Sequence, residues 1–85
     1  GNAQITPVSV STTGAQSAAL TEGIYDVWCD VDVYLKVGDT ASDVTTSTGY
    51  LLVAGNVVPL IVRDQKKIGG ILASGTGTLR AHRVR

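Results

Sequence analysis

The 85-residue chain has no phenylalanine, no methionine, one tryptophan, one histidine and one cysteine. Without Phe and Met, its core must be assembled from Val, Ile, Leu and Ala. Val and Ile favour extended backbone. Cys29 is alone, so no intrachain disulfide can form. No Cys/His cluster offers metal ligands. No 18 apolar residues run together, so nothing has the length of a membrane-spanning helix. A signal-peptide pattern and a glycosylation sequon are both missing. Ile5 stands where a myristoylation motif wants Ser or Thr, and Gly1 suits removal of an initiator Met. A domain of this size buries only about 60–65% of its unfolded surface and is marginal alone. With disulfides and metals set aside, oligomerisation or attachment to a larger surface is the expected supplement.

Net charge is zero but uneven. Residues 1–45 hold Glu22, Asp26, Asp30, Asp32, Asp39 and Asp43 against Lys36, a net of −5. Residues 46–85 hold Arg63, Lys66, Lys67, Arg80, Arg83 and Arg85 against Asp64, a net of +5. Two readings follow: acidic strands pair with basic strands inside one sheet, or one face of a subunit attracts the opposite face of a neighbour.

The clearest pattern is Gly23–Gly38, GIYDVWCDVDVYLKVG. Tyr25, Val27, Cys29, Val31, Val33, Leu35 and Val37 alternate with Asp26, Trp28, Asp30, Asp32, Tyr34 and Lys36. A period of two marks a strand, since a helix would scatter these residues around its circumference. Unbroken, the run would span roughly 45 Å at about 3.3 Å per residue. That length predicts a turn at Asp30-Val31-Asp32 between strands 24–29 and 33–37.

The rest of the chain continues in strands. Ile5, Val8 and Val10 suggest an edge strand or N-terminal arm over residues 1–12, which Pro7 keeps out of a sheet centre. Residues 13–85 form the body of the domain. Residues 14–23 read as a connector and 38–49 as a Ser/Thr-rich surface loop with room for a short Val44–Thr46 strand. Gly55-Asn56 fits a two-residue hairpin turn, after which Val58, Leu60 and Val62 share a face. Pro59, on the other face, favours an edge. Gly69-Gly70 within the strand from Ile68 predicts a bulge or a close backbone approach. Thr78–Val84 is the last strand. Seven to eight short antiparallel strands with frequent turns predict an all-β domain, a small β-sandwich or barrel. The expected core is Val27, Val33, Leu35, Val37, Leu60, Val62, Ile71 and Leu79.

Candidate chemistry is thin. Asp30 and Asp32, with Asp26 nearby, form a carboxylate cluster, but the glycine and distal glutamate of a calcium loop are not in place. The bland reading is a solvated face whose acids meet basic strands. GILASGT from Gly70 to Thr76 spaces two glycines like a phosphate loop, yet Thr76 stands where the lysine belongs. Cys29 alternates inward and reads as a small buried hydrophobe. His82 lies among Arg80, Arg83 and Arg85 with no nucleophile elbow in the chain. The run LRAHRVR lacks interleaved aromatics, and the neutral chain does not suit nucleic acid. No catalytic, cofactor-binding or metal-binding residue is assigned, and no cofactor is expected.

The order of segments carries a resemblance. SAALTEGIYDVWCDVDVYLKVGD, a Ser/Thr loop, TGYLLVAGNVVPLIV and KKIGGILASGTGTLRAHRV, spanning residues 17–84, are similar to the capsid decoration or cement proteins of tailed bacteriophage heads. The resemblance implies a jelly-roll sandwich and a virion structural protein rather than an enzyme. It would bind the major capsid protein on the outer capsid surface and stabilise the shell, as a homotrimer at three-fold or quasi-three-fold sites. Residues 1–12 would be its clamp, and neither nucleic acid nor membrane would be a partner. The alternative is a trimeric head-fibre or tail-spike module that binds host glycans, followed by a small hydrolase or sugar-binding domain.

Overall fold

The computed structural model describes residues 3–85. The first two residues of the expected arm, Gly1 and Asn2, lie outside the described residues. Nine short strands follow one another: β1 (Ala3–Gln4), β2 (Val8–Val10), β3 (Ala15–Gln16), β4 (Gly23–Cys29), β5 (Val33–Gly38), β6 (Tyr50–Leu52), β7 (Val57–Val62), β8 (Lys67–Ile71) and β9 (Gly77–Arg83). One 3-10 turn, Ala41–Asp43, interrupts the loop between β5 and β6.

The chain pairs as a folded ribbon. β1 and β2 pair with β9, β3 with β8, β4 with β7 and β5 with β6, all antiparallel. Two further ladders, β4 with β9 and β5 with β8, close the ribbon into two sheets. Their orders are β1-β9-β4-β7, with β2 also on β9, and β3-β8-β5-β6. This is jelly-roll connectivity, in which an antiparallel ribbon wraps so that its strands are shared between two sheets. The two sheets face each other across a single layer of side chains, matching a molecule 18 Å through its thinnest axis.

The alternation of Gly23–Gly38 survives the change of sheet. Tyr25, Val27 and Cys29 point inward from the first sheet, and Val33 and Leu35 point inward from the second. The turn falls at residues 30–32, as the length argument requires. Tyr25 is buried with its hydroxyl donating to the Thr21 carbonyl at 2.7 Å. Ser17 is the buried polar side chain of the core region. Its Oγ accepts the Ile68 N–H at 3.0 Å and donates to the Ala18 carbonyl at 2.8 Å, so neither group is left unpaired.

The N-terminal segment belongs to its own sheet. Residues 3 and 4 pair with 83 and 82, the Ile5 N–H donates to the Ala81 carbonyl, and residues 8–10 pair with 79–77. Thr6 and Pro7 together therefore oppose Arg80 alone, which is a β-bulge. The extra residue shifts the parity of the strand. Val8 and Val10 thereby turn into the core and Ile5 packs against it, although the spacing 5, 8, 10 fits no simple alternation.

Four readings of the sequence need correcting. Ile71 is not a core residue: it pairs with Tyr34 on the outer face, while Ile68, Gly70 and Leu72 point inward. Gly70 makes the room, since a Cβ there would press on Val10, Val33 and Leu79. Val37 and Leu60 are only partly buried, packed against the core from nearer its rim. Gly55-Asn56 does form a turn, but not a hairpin, because β6 pairs in the second sheet and β7 in the first. The 38–49 loop has no strand at Val44–Thr46. It is otherwise the surface loop expected, anchored at two points: Ala41 and Val44 are buried, and a Cβ at Gly69 would strike the Ala41 backbone. The close approach expected of Gly69-Gly70 is this contact. Pro59 is, as expected, on an edge strand.

Leu79 is fully buried and Ile71 is not. Leu79→Ala should cost about 2–5 kcal/mol and Ile71→Ala under about 1 kcal/mol, read from denaturant midpoints at constant slope. Deleting residues 1–12 takes Val8 and Val10 out of the core. The truncated domain should therefore lose at least about 3 kcal/mol and melt earlier in a thermal scan, instead of staying intact as a detachable arm would allow.

Candidate functional site

The acidic cluster of the sequence is split by the fold. Asp26 lies on the outer face of β4, directly across from His82. Asp30 and Asp32 flank the corner between the sheets, and each holds a backbone donor. Asp30 Oδ1 accepts the Thr78 N–H at 2.8 Å, and Asp32 Oδ1 accepts the Ala54 N–H at 2.8 Å. Asp30 thus ties the corner to the start of β9, and Asp32 ties it to the turn between β6 and β7. The bond from Thr78 is the main reason the Asp30 carboxyl sits below the usual carboxylate range. Gly77 lies beneath the corner, where a Cβ would run into Val31. These carboxylates act as clasps, and among the described residues no three His, Cys, Asp or Glu side chains converge.

The other candidates are dispersed. Cys29 is buried, and burial pushes its thiol pKa up, which leaves little thiolate at neutral pH. Gly70 lies within β8 and Gly75 in the turn before β9, so the glycine spacing belongs to a strand and a corner. The basic run LRAHRVR alternates: Leu79 and Ala81 are buried, whereas Arg80 and His82 lie on the outer face. Arg83 Nε donates to the Glu22 carbonyl at 3.0 Å. The charge asymmetry is used partly within the chain, since β4 lies beside β9 and Lys66 bonds Asp39 at 2.7 Å. That contact draws the Asp39 carboxyl below its ordinary range.

Two surfaces remain after these assignments, and sequence reading singled out neither. The first is an open edge. β6 ends one sheet and β7 ends the other. Tyr50, Leu51, Val53, Val57 and Ile61, 46–66% exposed, include all the exposed large apolar side chains among the described residues except Val84. The backbone of this edge is guarded. Ile24 exchanges hydrogen bonds with the end of β9, donating to Arg85 and accepting from Val84. Antiparallel alternation then turns Val58, Leu60 and Val62 toward β4 and leaves Val57, Pro59 and Ile61 facing outward. Pro59 has no N–H, so an added strand would find no donor in the middle of β7.

The second surface is the outer face of the first sheet around Trp28. Trp28 has Arg80 across from it on β9 and Val57 across from it on β7. The His82 ring meets the indole edge to face, with centroids 6.0 Å apart at 90°. Two depressions meet at Trp28 and Gly55: Asp26, Val57 and His82 line one, and Asp30, Thr78 and Arg80 line the other. A tryptophan among aspartates on the polar face of the main strand was the visible signal.

Compared with known proteins, the chain matches no family model, no curated protein and no solved structure.

Asp30 and Asp39 both have lowered carboxyl pKa values, so their contribution to stability is present above about pH 4 and is lost as pH falls through the lowered values. The melting temperature should fall on acidification below about pH 4. Asp30→Asn should melt lower than the parent at neutral pH and show a shallower acid decline. Parallel pH–melting curves for the two proteins would refute the clasp.

Proposed function

We propose that this chain is a virion structural protein, a decoration protein that binds the outside of a bacteriophage head shell and stabilises it. It acts by binding and not by catalysis. The observation that carries the reading is the open edge, where nearly all the exposed large apolar side chains of a small domain gather on β6, β7 and the turn between them. A folded monomer of this mass is expected to expose about 4,800 Å², and the chain exposes 4648 Å². The domain is closed, so its apolar edge is a surface feature and not a sign of loose packing. The jelly-roll connectivity and the segment resemblance support the same reading.

In this reading the open edge packs against other copies around a three-fold site, where Tyr50, Leu51, Val53 and Ile61 leave water together. The proline in β7 means that the contact is made by side chains rather than by a continued sheet. Shell attachment then uses surface outside the edge, with the major capsid protein as partner. Because the protein binds the assembled shell and not its loose subunits, bound copies oppose expansion by mass action.

Shells assembled with the chain should melt at a higher temperature than shells assembled without it. Leu51→Asp combined with Ile61→Asp should yield a folded monomer in sedimentation and lower occupancy on shells. Equal melting temperatures of decorated and bare shells would sink the stabilising role. A double variant that sediments and decorates like the parent would sink the edge as the contact.

A further inference from the structure

The ion pairs among the described residues are Lys36–Asp43 and Lys66–Asp39. Asp26, Arg80 and His82 take no part in them, and all three surround Trp28 on one open sheet face. We propose that this face binds a neutral oligosaccharide of two or more pyranose units, with Trp28 as the stacking platform.

Geometry supports the class of ligand. Neighbouring strands are about 4.8 Å apart, and alternate residues on one strand about 6.6 Å apart. Asp26, Trp28, Arg80 and His82 therefore mark the corners of a rectangle of about 5 by 7 Å, the scale of one sugar ring. A pyranose has an apolar C–H face and a rim of hydroxyls. The indole offers the first a flat apolar surface. The carboxylate of Asp26 accepts from the second, and the Arg80 guanidinium donates to it. The edge contact with His82 fixes the indole, so the platform loses little freedom on binding. The two depressions on either side of Trp28 give one ring position each, which sets the minimum length at two.

Charge narrows the class further. Two carboxylates, Asp26 and Asp30, stand against the one guanidinium of Arg80 along the groove, so an acidic ligand is repelled and an uncharged one fits better. A second copy of the chain fits less well, because polar and apolar groups alternate here over single residues. Most of the exposed large apolar side chains lie on the open edge instead. The inference is independent of shell binding.

Trp28 is the only tryptophan, so its emission reports on this site alone. The full chain is titrated with lactose, cellobiose, maltose and chitobiose, each to on the order of 10 mM, with sialyllactose as the acidic comparison. At least one neutral sugar should produce a saturable change in emission. Asp26→Asn and Arg80→Ala, each melting with a parent-like transition, should weaken that binding by about 10-fold. The proposal is overturned if no neutral sugar changes the emission, if both variants titrate like the parent, or if sialyllactose alone saturates.

Discussion

The corner at Asp30-Val31-Asp32 is the point on which both sheets depend. A single alternating run must face one core from opposite sides, first from β4 and then from β5. That requires a turn that changes sheet without changing parity, since Cys29 and Val33 both point inward. A corner of this kind strands backbone groups at the ends of neighbouring elements. Here the two flanking carboxylates take up donors from Thr78 at the start of β9 and Ala54 in the turn between β6 and β7. Three crossings at one end of the sandwich are thus fixed relative to one another by charge-assisted hydrogen bonds. The lack of disulfides is tolerable because the places where the chain changes sheet are held by side-chain chemistry instead.

Much of the strand plan was legible in the residues. Alternation in β4, β5 and β7 is driven by burial, which a period of two records directly. What was not legible were features set by distant contacts. The inward face of β8 begins at Ile68 and includes a glycine whose vacancy is filled by Val10, Val33 and Leu79. Nothing local marks a glycine as a core position, so Ile71 looked like the inward residue. The bulge at Thr6–Pro7 hid the buried valines of β2 in the same way. Ala41 reads as one small residue in a polar loop, and its burial follows only from Gly69 beneath it. The carboxylate cluster was misleading for a related reason: spacing along a strand puts Asp30 and Asp32 together, but they sit in a turn and bond in different directions.

The surface shows two kinds of exposure with different physical consequences. On the β6–β7 edge five exposed apolar side chains gather on two edge strands and the turn between them, and water is displaced best there by another large surface. Around Trp28 the apolar surface is only the indole and Val57, ringed by donors and acceptors, which suits a small amphipathic ligand. Pro59 separates edge contact from sheet extension, because it sits where β7 faces outward and its missing N–H costs the domain nothing. The same residue at position 58 or 60, where β7 turns its backbone groups toward β4, would have broken a hydrogen bond.

The ribbon topology also imposes a schedule on synthesis. β9 lies between β4 and the N-terminal strands, so the first sheet has no centre until residues 77–83 have been made. At about 5–20 residues per second, β2 and β4 are made seconds before the β9 that pairs between them. During those seconds, valine-rich strands wait beside one another without the partner that separates them. Pro59 then guards β7 before the sheet closes as well as after, by denying another chain an uninterrupted strand to copy.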